Sequence, residues 1–134
     1  MSSEPSVTLT VVAPVFNEAE ILPKLYERLR AVMDNLGEAW ELILVDDGCT
    51  DGSGDVMRTL ASRDPRVRPV IFARNFGHQV AVTAGLDYSR GRAVVIIDAD
   101  LQDPPEFIPQ FLAKWEEGHD IVYAIRKSRR EHFL

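Results

Sequence analysis

The stretch VVIIDADLQDPPEF, residues 94–107, places closely spaced acidic residues at the end of an apolar run. Asp98 and Asp100 lie two apart, so on an extended backbone both carboxylates face the same side. With the amide oxygen of Gln102 they form a set of hard ligands that suits Mg²⁺ or Mn²⁺. The proline pair 104–105 lacks backbone N–H groups and ends the strand. The stretch therefore predicts a buried strand that carries a metal site at its tip.

Apolar β-rich runs alternate with helical periodicity along the rest of the chain. We expect strands at residues 7–15, 40–47, 67–73, 92–98 and 120–125, and helices at 21–36, 55–62, 78–89 and 106–117. This order predicts an α/β fold, a Rossmann-like, mostly parallel open sheet with helices on both faces. Ligands of such sheets bind beyond the carboxyl ends of the strands, which is where we look for a site.

The turn after the first strand lacks the glycines of a dinucleotide-binding motif. It carries Asn17 and Glu18, whose side chains offer oxygen acceptors to a ligand. Asn17 also suits the N-cap of the following helix. Both roles remain open for Asn17.

The second strand ends in two adjacent carboxylates, Asp46 and Asp47, followed by glycine-rich sequence. Adjacent carboxylates repel, so we expect at least one to be held by hydrogen-bond donors or by a ligand. A carboxylate here suits ribose hydroxyls or the ring N–H of uracil or guanine. The alternative is a turn that caps the next helix, a role that also fits Asp51.

The third strand leads through Arg74 and Gly77 into a helix rich in small residues. We expect Ala81, Ala84 and Gly85 to let this helix pack closely on the sheet. Arg74 either pairs with a site carboxylate or contacts the ligand, and the sequence gives His78 no role.

Composition limits the classes of function. The chain has 134 residues, enough for one domain, and a net charge of −6, which argues against nucleic acid as a partner. A single cysteine, Cys49, allows no internal disulfide and favours a cytosolic protein. No apolar run approaches the ~20 residues of a membrane span, and the N-terminal residues do not resemble a signal peptide.

Five segments occur in the order and spacing of one known family: PVFNE, VDDGCTDGS, NFGHQVAVTAG, DADLQDPP and YAIRKSR. Together they resemble the family 2 glycosyltransferases of the GT-A fold, over essentially the whole chain. RNFGHQ and DADLQDPPE are similar in particular to bacterial polyprenyl-phosphate glycosyltransferases, including the undecaprenyl (bactoprenol) enzymes, and to dolichol-phosphate mannose synthases. Cys49 replaces the usual serine, and Thr83 stands where many members have asparagine.

The resemblance implies a role for each group of site residues. Asp98 and Asp100 are the implied catalytic residues, and with Gln102 they would hold the metal and the sugar diphosphate. The phosphate of the donor or acceptor would meet Arg126, Lys127 and Arg130. The implied nucleotide-binding residues are Pro14, Phe16, Asn17, Glu18, Asp46, Asp47, Asp98 and Ala99.

The implied activity is the inverting, metal-dependent transfer of a sugar from a UDP-sugar to a polyprenyl phosphate. Glucose is the sugar that the resemblance favours. Members of the family continue well past residue 134, so residues 1–134 are expected to form the nucleotide-sugar-binding part of the catalytic domain. We expect the full-length protein at the cytoplasmic face of a membrane, the fragment itself in the cytoplasm, and some self-association.

Three alternatives accompany this prediction. A saccharide hydroxyl could be the acceptor, or the domain could bind nucleotide sugar without transfer. A haloacid dehalogenase-type phosphatase also places D-x-D after an apolar strand. In that class the motif normally follows the first strand, whereas here it follows the fourth.

Overall fold

The computed structural model of the protein describes residues 6–102 and 104–118. It contains four strands, β1 (Leu9–Val15), β2 (Trp40–Asp46), β3 (Val67–Ile71) and β4 (Ala93–Ile96). They alternate with helices α1 (Leu22–Leu36), α2 (Ser53–Arg63), α3 (His78–Tyr88) and α4 (Ile108–Glu116), and a 3₁₀ turn at Pro105–Phe107 precedes α4. The predicted strand at 120–125 and the predicted phosphate contacts Arg126, Lys127 and Arg130 lie outside the described residues.

The strands form one parallel sheet in the order β3-β2-β1-β4, which confirms the predicted α/β class. Side chains alternate between its two faces. Val11 and Leu42 belong to a core with α1, α2 and the start of α4, whereas Val12 and Ile43 pack with α3 on the opposite side. Helices therefore cover both faces, as continuous apolar strands require.

Helix α3 lies unusually close to the sheet, as its small residues predict. Ala81 is fully buried, and a Cβ added to Gly85 would lie 2.3 Å from Cγ1 of Val12. Any larger residue at position 85 would push the helix away from β1. None of the helices in the described part of the chain is long and apolar enough to cross a membrane.

The fourth strand differs from its prediction. It ends at Ile96, and only one further bond, from the N–H of Ile97 to the carbonyl of Val12 at 2.9 Å, continues the ladder. Residues 99 and 100 form a turn, and Leu101 has a φ of +64°. The premise that Asp98 and Asp100 share a side because the backbone is extended is therefore wrong.

Buried carboxylates at the amino ends of the strands are neutralised by arginines. Glu41 accepts hydrogen bonds from the Thr10 hydroxyl at 2.6 Å, from Arg68 at 2.7 Å and from the backbone N–H of Arg90 at 2.7 Å. These bonds join β1, β2, β3 and the connection from α3 to β4. Since Glu41 is buried, they also satisfy a group that would otherwise be costly to remove from water.

A second network surrounds Asp64, at the end of α2. Its carboxylate accepts hydrogen bonds from the Tyr26 hydroxyl at 2.6 Å and from Nε of Arg66 at 2.9 Å. Arg66 also donates to Asp34 at 2.7 Å and lies 4.1 Å from the ring centroid of Trp40. The hydrogen bond from Arg66 lowers the pKa of Asp64 to about 2, burial opposes the shift, and the bond from Tyr26 adds to it.

This network predicts a loss of stability in acid. The pKa of Asp64 is lower in the folded state than the unfolded value of about 3.9, so its contribution is present above pH ~4 and is lost as the pH falls towards 2. The difference in free energy of unfolding between the wild type and Asp64→Asn should shrink by about 2 kcal/mol between pH 5 and pH 2. Urea titrations at several pH values measure it. The exposed Asp87→Asn is the control for the loss of one surface carboxylate; a constant difference for Asp64→Asn would contradict the assignment.

Candidate functional site

A cleft of about 250 Å³ opens at the carboxyl ends of β1 and β2. Register explains its position, because Val15 pairs with Asp46 and Asp46 pairs with Ile71, so the loops after β1, β2 and β3 leave the sheet at one level. Its lining residues are Pro14, Val15, Phe16, Asp47, Asn75, Gly77 and His78.

The structure brings three of the predicted nucleotide-binding residues into this cleft: Pro14, Phe16 and Asp47. The other five predicted positions do not line it. Asp46 is the last residue of β2, and the remaining four lie in the neighbouring loops: Asn17, Glu18, Asp98 and Ala99. Phe16 is 53% exposed, so its ring is available to a ligand.

Asn17 joins the loops after β1 and β2. It has a φ of +56°, its backbone N–H lies 3.2 Å from Sγ of Cys49, and its side-chain oxygen accepts the N–H of Thr50 at 2.8 Å. Helix α1 begins at Leu22 without a side-chain cap, so the alternative role of Asn17 as the N-cap is wrong. Asparagine tolerates the left-handed conformation better than most residues, which suits it to this position.

Asp51 has the turn role that the sequence allowed. One of its oxygens accepts the N–H of Ser53 at 3.0 Å and the Ser53 hydroxyl at 2.6 Å, and the other accepts the N–H of Ala19 at 3.1 Å. The Ser53 hydroxyl oxygen in turn accepts the N–H of Glu18 at 3.1 Å. Asp51 thus ties the start of α2 to the loop that carries Glu18.

The adjacent carboxylates Asp46 and Asp47 are both buried and both held by donors from the protein. Asp46 accepts the N–H of Cys49 at 2.7 Å, which closes the turn after β2. Asp47 accepts hydrogen bonds from the segment 75–77, which follows β3. The expectation that donors would hold at least one of the pair is confirmed for both.

The acidic loop at residues 98–102 lies beside Glu18. Burial, followed by the negative charges of Asp100 and Asp51, raises the pKa of Glu18, so the carboxylates of the loops after β1, β2 and β4 lie close enough to interact. One oxygen of Asp100 accepts the N–H of Gln102 at 3.0 Å. Ile97, Ala99 and Leu101 pack against the core, and Asp98 and Asp100 between them are only partly buried.

This loop fits a hard divalent cation by the chemistry of its donors. Asp98, Asp100 and Gln102 offer only oxygen atoms, and Mg²⁺ typically takes one or two carboxylates together with phosphates of a substrate. Within residues 6–102 and 104–118 no three His, Cys, Asp or Glu side chains gather into a metal-binding group. A cation at this loop would therefore depend on the donor phosphates for further ligands.

Sequence reasoning missed Asn75 as part of the cleft and gave His78 no role, although both line it. Arg74 forms no ion pair within the described ranges, and its guanidinium lies 4.2 Å from the ring centroid of Phe76. Pairing of Arg74 with a site carboxylate is therefore not observed. The segment NFGHQ, which begins at Asn75, was a signal for this position, but its pairing with Asp47, 28 positions earlier in the chain, is not visible in a local pattern.

Similar solved structures show which fold the chain has. A mannosyltransferase from Pyrobaculum calidifontis, in complex with GDP-Man and Mn²⁺, matches with a TM-score of 0.67 and 24% identity, over 88% of this chain and 34% of that chain. S. aureus TarS matches with a TM-score of 0.62 and 16% identity, over 90% of this chain and 24% of that chain. The chain has the GT-A glycosyltransferase fold.

The model of the family "Glycosyl transferase family 2" matches residues 10–133, and the chain belongs to this family. It is 48% identical over 124 residues to the uncharacterized glycosyltransferase YkcC of Bacillus subtilis, covering 92% of this chain and 38% of that protein. It is 40% identical over 128 residues to the undecaprenyl-phosphate 4-deoxy-4-formamido-L-arabinose transferase of Salmonella paratyphi A, covering 95% of this chain and 39% of the transferase. The chain thus spans about two fifths of the length of these relatives.

The turn that bears Cys49 predicts a poorly reactive thiol. Burial raises the pKa of Cys49 to about 11, and the sulfur accepts the N–H of Asn17 and donates to the carbonyl of Val15 at 3.3 Å. The thiolate fraction at pH 8 should be on the order of a hundredfold below that of a free cysteine. Alkylation by iodoacetamide, followed by mass spectrometry, should be slower by about this factor than for free cysteine. A rate equal to that of free cysteine would contradict this environment.

Proposed function

We propose that this chain binds the nucleotide diphosphate sugar of an inverting, metal-dependent glycosyltransferase whose acceptor is a polyprenyl phosphate. The observation that carries the proposal is the position of the cleft. It lies at the carboxyl ends of parallel strands in a GT-A fold, with a loop of oxygen ligands after the neighbouring strand. UDP-glucose is the first donor to test.

The cleft has walls of two kinds, which suits a nucleoside. The end of β1 and the residue after it supply apolar surface through Pro14, Val15 and Phe16. The segment that leads into α3 supplies polar groups through Asn75 and His78. A mostly apolar site with a few placed polar groups is the usual environment for a planar ligand with hydrogen-bonding edges. The donor diphosphate would then extend towards residues 98–102.

Asp98, Asp100 and Gln102 would hold the divalent cation. When bound, the cation supplies charge stabilisation for the departing nucleoside diphosphate. The chain contributes the negative field of Glu18 and Asp100, which favours a cation at this edge of the sheet. The Mn²⁺ complex of the similar mannosyltransferase supports a metal in the same fold.

A polyprenyl phosphate suits the proposed acceptor because its oxygen is already anionic and needs no general base. Attack of this oxygen on the anomeric carbon forms the new C–O bond, and the electron pair of the broken bond leaves with the nucleoside diphosphate. The name of the undecaprenyl-phosphate relative, at 40% identity, supports this acceptor class. Arg126, Lys127 and Arg130 are proposed to meet lipid phosphates at the cytoplasmic face of the membrane, where each cation near an anionic surface adds about 1 kcal/mol.

Replacing Asp100 by asparagine tests the metal-binding loop. Asparagine keeps the side-chain oxygen that accepts the N–H of Gln102, so the loop should keep its shape while losing charge. Calorimetric titration of UDP in the presence of Mn²⁺ should show at least about a tenfold loss of affinity, because even a change in the residues that support metal ligands typically costs that much in metal affinity. Asp55→Asn, which changes an exposed carboxylate on α2 that pairs with Arg58, is the control. Equal UDP affinity for Asp100→Asn and wild type would refute the assignment.

A transfer assay separates the proposed activity from its alternatives. The chain, and a longer protein that contains it, are incubated with radiolabelled UDP-glucose, Mn²⁺ and undecaprenyl phosphate. We expect label to move into the lipid phase only when the phosphorylated lipid is present. Label on a free saccharide would favour a hydroxyl acceptor. If both proteins bind the donor and neither transfers the sugar, the domain binds nucleotide sugar without catalysing transfer.

A further inference from the structure

The oxygen ligands at residues 98–102 lie on a loop that has already left the sheet. The bond from the N–H of Ile97 to the carbonyl of Val12, at 2.9 Å, is the last one of the strand ladder. Beyond it Leu101 has a φ of +64°, a left-handed conformation that a residue with a side chain keeps only where its surroundings impose it. The spacing of the ligands therefore depends also on what holds the loop at its far end.

The far end of the acidic loop is joined to α1. Pro105 is buried, and the next residue, Glu106, meets Arg28 of α1. Nη2 of Arg28 donates to Oε1 of Glu106, and Nε donates to Oε2 at 3.3 Å. A planar guanidinium that bonds both oxygens of a carboxylate fixes direction as well as distance. The hydrogen bond from Arg28 also lowers the pKa of Glu106, so this carboxylate stays charged.

Both sides of this contact are stiff. Arg28 lies on α1 between Leu25 and Leu29, which are fully buried in the core. Glu106 follows Gln102 by only four positions, with two prolines of fixed φ between them. A displacement of Glu106 is therefore passed on to the acidic loop.

We propose that Arg28 and Glu106 are positioning residues for the acidic loop: their hydrogen bonds hold its far end, so that its oxygen ligands keep the spacing that a divalent cation requires. Mg²⁺ in particular demands near-octahedral geometry with ligands at about 2.0–2.1 Å, so a small shift of the loop weakens binding. The metal part of this inference rests on the proposed function, whereas the link between the ion pair and the loop does not.

Amide hydrogen exchange tests the structural part in the metal-free protein. In Arg28→Gln the backbone amides of Gln102 and Phe107, which are hydrogen-bonded at 3.0 and 3.1 Å, should exchange at least about threefold faster, because the loop loses its link to α1. The substitution is remote from both amides along the chain, so their intrinsic rates stay the same. Arg30→Gln, which removes another charge of α1 that pairs with Glu27, is the control and should change neither rate. Unchanged rates in Arg28→Gln would overturn the proposal.

Metal affinity separates positioning from a simple effect of charge. Mn²⁺ is titrated calorimetrically into the protein at a fixed concentration of UDP. Loss of a positive charge alone would strengthen Mn²⁺ binding in Arg28→Gln, and loss of a negative charge alone would weaken it in Glu106→Gln. Positioning weakens binding in both variants, by at least about threefold. An affinity in Arg28→Gln that equals or exceeds that of the wild type would overturn the proposal.

Three further variants complete the titration. The double variant Arg28→Gln/Glu106→Gln should bind no more weakly than the weaker single variant, because both changes break the same contact. Arg28→Lys keeps the charge but not the paired hydrogen bonds, so its affinity should lie between those of Arg28→Gln and the wild type. Arg92→Gln, which removes a cation 5.4 Å from the ring centroid of Trp115 at the opposite end of α4, should match the wild type.

Losses that multiply in the double variant would mean that the two residues act separately, and they too would overturn the proposal. If the wild type binds no Mn²⁺ in the presence of UDP, the proposed function fails at its metal. The exchange experiment then still decides whether Arg28 and Glu106 hold the loop.

Discussion

Asp46 and Asp47, at the end of β2, are both buried, and a buried carboxylate needs hydrogen-bond donors. The loops around the site supply these donors. A buried polar group without partners costs several kcal/mol, so each oxygen needs donors nearby. Asp46 finds one within its own turn, at Cys49, and Asp47 finds three in the segment 75–77. Asn17 then fastens the β1 loop to the same turn. The cleft follows from these bonds, because its walls are the loops that they hold.

The carboxylates at the two ends of the sheet have different hydrogen-bond partners. At the amino ends, Glu41 and Asp64 are paired with Arg68, Arg90 and Arg66. At the carboxyl ends, among the residues described, Asp46, Asp47 and Asp100 take neutral N–H donors. Hydrogen bonds to neutral groups satisfy the oxygens but leave their charge uncompensated. That difference fits a structural network at one end and a cation site at the other. Burial, and after it the charges of Asp100 and Asp51, raises the pKa of Glu18 at the second end.

Local patterns predicted much of the fold and part of the site. Apolar runs located β1–β4, and small residues predicted the close approach of α3 to β1, which Gly85 shows. The prediction for Asp98 and Asp100 used strand geometry, but the chain leaves the strand at Ile97 and turns. Burial still alternates there because Ile97, Ala99 and Leu101 pack into the core. The contacts of Asp47 with residues 75–77 span 28–30 positions, and no local pattern encodes such pairings.

The cleft and the acidic loop are held by different forces, which makes them separable. Hydrogen bonds to Asp47 position the cleft wall, whereas the acidic loop is fixed by packing of Leu101 on the core and by the ion pair of Arg28 with Glu106 just beyond it. A change that loosens the segment 75–77 can therefore alter contacts to a base while the oxygen ligands at 98–102 stay in place.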